Sequence, residues 1–583
     1  MESLAKSGRL FMLRAMIRRL ISPPLAVLLL MAVFMACFLV WPVFLTVKEA
    51  FVKPDGSFTM AYAGEIFSNS LYTEGLVNSF KMAIGSTAGA MLLALPLAVL
   101  ANRYEFRGKM ILTSLLLVPL ILPPFVGVIG IKHILGQHGA LNALLTHLGL
   151  MDLARPADWL GSSRLPGVIV MNSLHLYPIL YLNITAALSN LDPALDEAAE
   201  NLGCTPWRRF RRVTLPLAMP GIFAGATIVF IWGFNELGVP LLFDYYRVTS
   251  VQIWEGSKEM GGSPLPYALV MVMVGISLLF FVISKFAFGR HDYAGSGRAS
   301  MASRTVTLTG GRSWLAASAF AAVIFMAVMP HAGVLMAACA GDWNDTVFPA
   351  VLTLQHFGDA LGHSLTVPSI QNSLQYAGLA TLFACVLGVA ISWVTVRTRL
   401  AGRHLLDTLT MLPLAVPGLV LAFGYLVMTR PGQPFEWLLM GTGNPMLLLI
   451  VAYCVRRLPY VVRSATAGLQ QTSVSLEEAA QSLGCPPWRT LLKITLPLIA
   501  ASLIAGALLA FAFSMLEVSD SMILAQKREH YPIPKAIYEL YGNLGNGEGL
   551  ASALGVWAMV FLTITLTGAS MILGKKLGAL FRV

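Results

Sequence analysis

Two stretches of this chain place the same polar groups at the same spacing, EAAENLGCTPWRRFRRVTLP from Glu197 and EAAQSLGCPPWRTLLKITLP from Glu478. Both fit E-A-A-x3-G-x9-[I/V]-x-L-P, and they lie 281 residues apart. These residue types pair charge, pack closely and turn the chain. Glu197 and Glu478 can each pair with an arginine. Ala198, Ala199, Ala479 and Ala480 are small enough to permit close approach, and Gly203 and Gly484 accept the left-handed turn that ends a helix. An amphipathic helix lying on a membrane surface would have a similar composition, but it would not need the same spacing twice.

Other ionisable groups fall in apolar surroundings. Glu236 in WGFNELGVP and Glu517 in FSMLEVSD also correspond at an offset of 281. Each follows its cassette's closing proline by 20 residues, about 30 Å along a helix, so both belong near the mouth opposite the cassettes. There they could draw a cation or hold a gate; a solvated interfacial glutamate is the plainer reading. Arg456 and Arg457 in VAYCVRRLPYVVRS, and His175 at the corresponding place in MNSLHLYPIL, interrupt long apolar runs. Unpaired arginine in hydrocarbon is costly, so these side chains must face the bundle interior or a wet cavity. An anionic substrate or a partner glutamate would account for them, as would a structural ion pair or snorkelling.

Several chemistries lack their signatures. There is no G-x-x-x-x-G-K-[ST], no H-E-x-x-H and no G-x-S-x-G, so neither a nucleotide site nor hydrolytic catalysis is expected. GNLGNGEG at 542–549 reads as a flexible turn. His133, His138 and His147 share no ligand spacing, and the six cysteines form no C-x-x-C pair, so no metal site is expected. Cys204 and Cys485, following the cassette glycines, read as small packing residues.

The elements that must carry these residues are membrane spans. The chain is 56% hydrophobic and 12% charged, with a mean hydropathy of +0.72, against about 25% charged for a soluble domain. Twelve apolar runs are long enough to cross a bilayer: 25–47, 76–101, 110–131, 166–188, 216–240, 265–287, 313–340, 374–396, 405–428, 446–468, 497–524 and 551–573. The first is longer than the apolar core of a cleaved signal, about 7–15 residues, and is read as a retained span. With the N-terminus inside, 25 Lys and Arg fall on that side against 11 on the other, and the 341–373 loop has none. This bias puts both termini and both cassettes in the cytoplasm. It also explains the net charge of +11 without nucleic acid.

A longer repeat encloses the cassettes. NSFKMAIGSTAGAMLLALPLAVLANRYEFRGK from Asn78 aligns with NSLQYAGLATLFACVLGVAISWVTVRTRLAGR from Asn372 at an offset of 294, matching Arg103 with Arg397. Six spans per half make the repeats parallel, related by an axis along the membrane normal. The expected organisation is a first half over 1–288, a linker over 289–312 and a second half over 313–583. The two cassette loops fall at about 192–215 and 473–496. Each cassette reads as a short helix with acidic residues in its first turn, a glycine turn and a second short helix, with the chain re-entering the membrane at Pro216 and Pro497. Pro119, Pro123, Pro124, Pro413 and Pro417 are expected to kink the third and ninth spans.

On these motifs the chain resembles the type I permeases of binding-protein-dependent ABC importers. The cassette is similar to their EAA coupling loop, and two such units in one polypeptide resemble fused permeases for ferric iron, 2-aminoethylphosphonate or thiamine. The resemblance covers roughly 76–288 and 370–575, with Val213 in place of the usual isoleucine that Ile494 keeps. It implies an all-α polytopic fold of twelve transmembrane helices in two six-helix repeats, in a bacterial inner membrane. It implies two copies of a separate ATPase that carries the ATP and magnesium, an extracytoplasmic binding protein, and no covalent catalysis by this chain. It assigns Glu197, Ala198, Ala199, Gly203, Glu478, Ala479, Ala480 and Gly484 to ATPase coupling. Ferric iron is the expected substrate, with 2-aminoethylphosphonate as the alternative. An ion-coupled secondary transporter is the rival class, and would require ionisable groups at mid-membrane.

Overall fold

The computed structural model describes residues 23–53, 55–152, 154–258, 264–288, 305–414, 416–439 and 443–573. Helices dominate, with two short strand pairs, Tyr104–Glu105 with Val306–Thr307 and Ala340–Asp342 with Val351–Leu352. Among the described residues nine helices are long and apolar enough to cross a membrane, and up to eleven if each of two bent pairs is one span. The tenth expected run, not among these, falls on the helix Met446–Gln471. Its 26 residues reach about 39 Å, but Arg456, Arg457 and Arg463 lower its hydropathy. Residues 289–304 of the expected linker lie outside the described residues.

The third and ninth spans are broken, not merely kinked. Lys109–Leu120 and Pro124–His147 meet at 99°, and Arg403–Leu414 and Gly418–Met428 at 105°. Proline explains both the break and its repair. Pro123 has no N–H to offer the carbonyl of Pro119 one turn back, and in hydrocarbon no water replaces it. The His175 ring donates to Pro119 O instead, at 2.9 Å. The adjoining turn tightens, with Leu120 N bonding to Leu117 O, and the Tyr177 hydroxyl donates to the Leu116 carbonyl at 2.9 Å. The first span, Pro23–Glu49, repeats the pattern: Pro42 orphans Phe38 O, and the Tyr425 hydroxyl donates to it at 2.6 Å.

Packing divides the chain into two compact units that cut across the sequence repeats. One comprises Met1–Thr46, Leu374–Val416 and Val420–Asp520; the other comprises Val47–Ser373, Pro417–Leu419 and Ser521–Val583. The first span thus packs with second-repeat residues, and the seventh, Gly311–Ala338, with first-repeat residues. Corresponding glycines make both exchanges possible. A Cβ on Gly130 would fall far inside contact distance of Pro330 O, and a Cβ on Gly424, 294 residues later, would do the same to Pro42 O. Backbone lies directly on backbone at each crossing, and Thr46 Oγ1 adds a 3.0 Å bond to Val420 O.

Gly130→Ala and Gly424→Ala should each destabilise the protein by about 1–3 kcal/mol, because the obstacle is backbone that cannot rotate away. Gly275→Ala, where the added methyl meets open space, should be neutral. Thermal midpoints of the three purified variants check this.

Candidate functional site: two stapled cassettes

Each cassette begins as a nine-residue helix, Pro193–Asn201 or Val474–Ser482. Asp192 and Ser473 cap the two helices through their side chains. Gly203 (φ +76°) and Gly484 (φ +86°) end them in the left-handed conformation, and Cys204 N and Cys485 N close the turns onto Ala199 O and Ala480 O at 3.0 Å. The sequence reading of this part stands. The second helix differs from expectation: it does not stop before the membrane. Pro206–Arg209 and Pro487–Thr490 run through π-helical turns, Phe210–Thr214 and Leu491–Thr495, directly into Leu215–Phe234 and Leu496–Met515. Pro216 and Pro497 supply the reason. A proline ring clashes with the carbonyl one turn back, and the wider turn avoids it, with Leu215 N reaching Phe210 O and Leu496 N reaching Leu491 O. The second helix of each cassette and its membrane span are therefore one rod.

The first helix of each cassette is stapled to that rod and to an earlier span by an ionic cluster. In the first repeat Arg103, last residue of the helix Ser70–Arg103, binds Asp196 at 3.1 Å and Thr214 Oγ1 at 2.9 Å. Arg209 adds a second cation, 3.4 Å from Asp196 and 2.6 Å from Glu200. In the second repeat Arg397, last residue of Thr366–Arg397, donates to both oxygens of Glu477 at 3.1 and 3.2 Å and to Thr472 O at 3.0 Å. Thr495 Oγ1 donates to the same carboxylate at 3.2 Å. Arg103 and Arg397 align at one offset, the acids and threonines at another, so the alignment alone did not show that they meet.

The other faces of these helices are bare. Glu197, Ala198, Glu478 and Ala479 are exposed, whereas Ala199 and Ala480 are buried. The second alanine of each cassette therefore packs inward against its own chain. Leu202 and Leu483 are 84% and 89% exposed, beside exposed Trp207 and Trp488.

The remaining sequence-predicted residues occupy other places. Glu236 and Glu517 follow the helix ends at Phe234 and Met515, as the count from the prolines requires. Neither is a simple solvated carboxylate. Glu236 Oε1 accepts from Gly238 N and Val239 N at 3.1 and 3.3 Å, at the start of the helix Gly238–Leu242. Glu517 is buried in a four-charge cluster: Arg457 binds it and also donates to Phe513 O, and Arg456 Nη1 lies 3.0 Å from Glu517 and 3.6 Å from the buried Asp520. Two guanidiniums and two carboxylates balance, as burial in low dielectric requires. At the matching first-repeat positions stand His175, Leu176, Glu236 and Val239, and His175 serves as the cap of the broken third span.

A further polar network, not anticipated from sequence, joins residues of both repeats inside one compact unit. Lys132 Nζ binds Asp244 at 3.0 Å and the Tyr541 hydroxyl at 2.9 Å, and Arg164 reaches Asp244 at 3.2 Å. Nearby His133 stacks on Trp343, and His138 pairs with Asp345 at 3.0 Å. Lys535, on the helix Ile533–Tyr541, is buried, donates to Met522 O at 2.9 Å and lies over the Tyr531 ring. Burial pushes its amine down to about 8 despite the nearby Glu539.

Three outcomes follow from these geometries. The second staple has side chains 8% and 10% exposed, the first 20% and 36%. Arg397→Ala should thus cost about 3–5 kcal/mol by stranding a buried carboxylate. Arg103→Ala should cost about 1 kcal/mol or less, because solvent screens the pair; denaturation of the two variants measures the difference. His175→Leu should cost about 1–3 kcal/mol through the unsatisfied Pro119 carbonyl, read the same way. Because the Lys535 amine titrates lower in the folded chain than its usual 10.4 or so, the unfolded chain binds the extra proton between those values. Stability should therefore rise with pH from about 8 upward, and Lys535→Met should remove that slope.

Residues 90–292 and again 380–582 match the family described as binding-protein-dependent transport system inner membrane component. A putative ferric transport system permease protein, FbpB 1 of Haemophilus influenzae, is 28% identical over 475 residues, 80% of this chain and 71% of that one. The ferric transport system permease protein FbpB of Actinobacillus pleuropneumoniae is 28% identical over 472 residues, 79% of this chain and 65% of its own. A putative 2-aminoethylphosphonate transport system permease protein, PhnU of Salmonella typhimurium, is 27% identical over 269 residues, 46% of this chain and 93% of that one. This chain thus spans about two thirds of the length of the ferric relatives. With apolar helices throughout and the family's unit present in both repeats, the chain belongs to the inner membrane component family of binding-protein-dependent transport systems, as a fused two-domain permease.

Proposed function

We propose that this permease forms the pathway of an ATP-driven importer for ferric iron. Its two cassettes, on the cytoplasmic face with both termini, seat against two copies of a separate ATPase that holds ATP and magnesium. An extracytoplasmic binding protein delivers the substrate from the other side. Closure of the ATPase pair pushes the cassettes and exchanges inward-open for outward-open states of the permease.

The observation that carries this reading is the matched bare face of the cassettes. A leucine and a tryptophan stand in the open at corresponding positions in both repeats, next to an exposed glutamate and alanine. Covering each large apolar side chain gains about 1.5–3 kcal/mol, and the glutamate supplies a directional partner for arginine. The cation bias of the loops supports the cytoplasmic placement. Ferric iron is favoured because the relatives that match both halves are named for ferric transport. The arginines that would have suited a phosphonate are already balanced by Glu517 and Asp520.

In proteoliposomes loaded with ATP, the assembled transporter should take up 55Fe(III) from its binding protein, and excess 2-aminoethylphosphonate should not compete. Leu202→Glu with Leu483→Glu should abolish co-purification of the ATPase and lower uptake at least tenfold. Uptake driven by a proton gradient without the ATPase would overturn the importer reading; competition by the phosphonate would overturn the substrate.

A further inference from the structure

We infer that Arg103 and Arg397 are the positioning residues that transmit motion from the cassettes into the membrane, and that the two repeats transmit it unequally. The inference rests on the coupling reading above. A nine-residue helix is short for stability on its own, and a glycine turn joins each cassette helix to its rod. A push on the bare face would be absorbed by bending at that turn unless the helix were braced. The brace is the staple: one arginine holds the cassette acid, Asp196 or Glu477, and Thr214 or Thr495 binds the same acid from the π-helical turn of the rod.

Each arginine ends a span of more than thirty residues, and each of those spans is bonded sideways to another. Ser173 Oγ reaches Ser86 O at 3.3 Å in the first repeat, and Ser392 Oγ reaches Val462 O at 3.0 Å in the second. Displacement of a cassette thus moves three helices together. The repeats differ in how firmly. Glu477 takes two bonds from one buried guanidinium, and Thr490 occupies the position of Arg209, so among the described residues no second cation is paired with Glu477. Asp196 keeps Arg209 when Arg103 is lost.

The test uses the complete transporter with its ATPase in nanodiscs, in a background with the native cysteines replaced, spin-labelled at Leu544→Cys and Trp437→Cys, both exposed and remote in sequence from the cassettes. In the parent, ATP with vanadate should shift the label–label distance distribution. Arg397→Ala should keep ATPase co-purification and hydrolysis within about twofold of the parent while losing the shift. Arg103→Ala should keep most of it. The charge swap Arg397→Glu with Glu477→Arg should restore the shift, which a merely destabilising loss would not predict. If Arg397→Ala does not assemble, Thr495→Val, which removes one strut only, should reduce the shift. A full parental shift in Arg397→Ala or, failing assembly, in Thr495→Val would overturn the inference. Absence of both co-purification and shift in the parent would instead overturn the coupling reading and this inference with it.

Discussion

Hydrocarbon offers no hydrogen bonds, and the prolines of this chain keep creating backbone carbonyls that need them. At two of them the solution is a side chain from a neighbouring helix. His175 serves the broken third span and Tyr425 serves the first span. These donors are long-range in sequence, so each repair also fixes which helices are neighbours. The break at Pro123 depends on such a partner, since an unrepaired bend in lipid would cost several kcal/mol per orphaned group. The same constraint governs charge: Arg456 and Arg457 exist in an apolar helix because Glu517 and Asp520 meet them.

The exchange of first spans between the repeats follows from close approach. Gly130 and Gly424 let the seventh and first spans lie backbone to backbone on the broken helices. Without a hydrophobic driving force between helices in lipid, packing of this kind supplies much of the association. It also means that neither repeat completes a compact unit from its own residues.

The cassettes divide their faces by task. The inward face is ionic and bonded, through Asp196 or Glu477, to a span end and to the π-helical turn. The outward face carries uncovered leucine and tryptophan, which is a poor surface for an isolated protein and a good one for a protein with a fixed partner. Buried Ala199 and Ala480 join these faces: they bring the first helix against the chain close enough for the staple to form.

The apolar spans and the internal repeat were legible from the sequence because hydropathy and spacing are local properties summed along the chain. The cassette helices, with their glycine turns, were legible for the same reason, since a left-handed residue must follow the helix it ends. The continuity of the second cassette helix with the membrane span was not, because a π-helical turn has no signature beyond the proline that causes it. Nor could the sequence tell that His175 caps a broken helix while Arg456, at the matching position, joins a charge cluster, or that Glu236 and Glu517 have unrelated partners. Equivalent positions in a repeat share backbone geometry, but the role of a polar side chain is set by whichever donor or acceptor lies within about 3 Å. That choice is made by segments tens to hundreds of residues away, and only the folded chain brings them together.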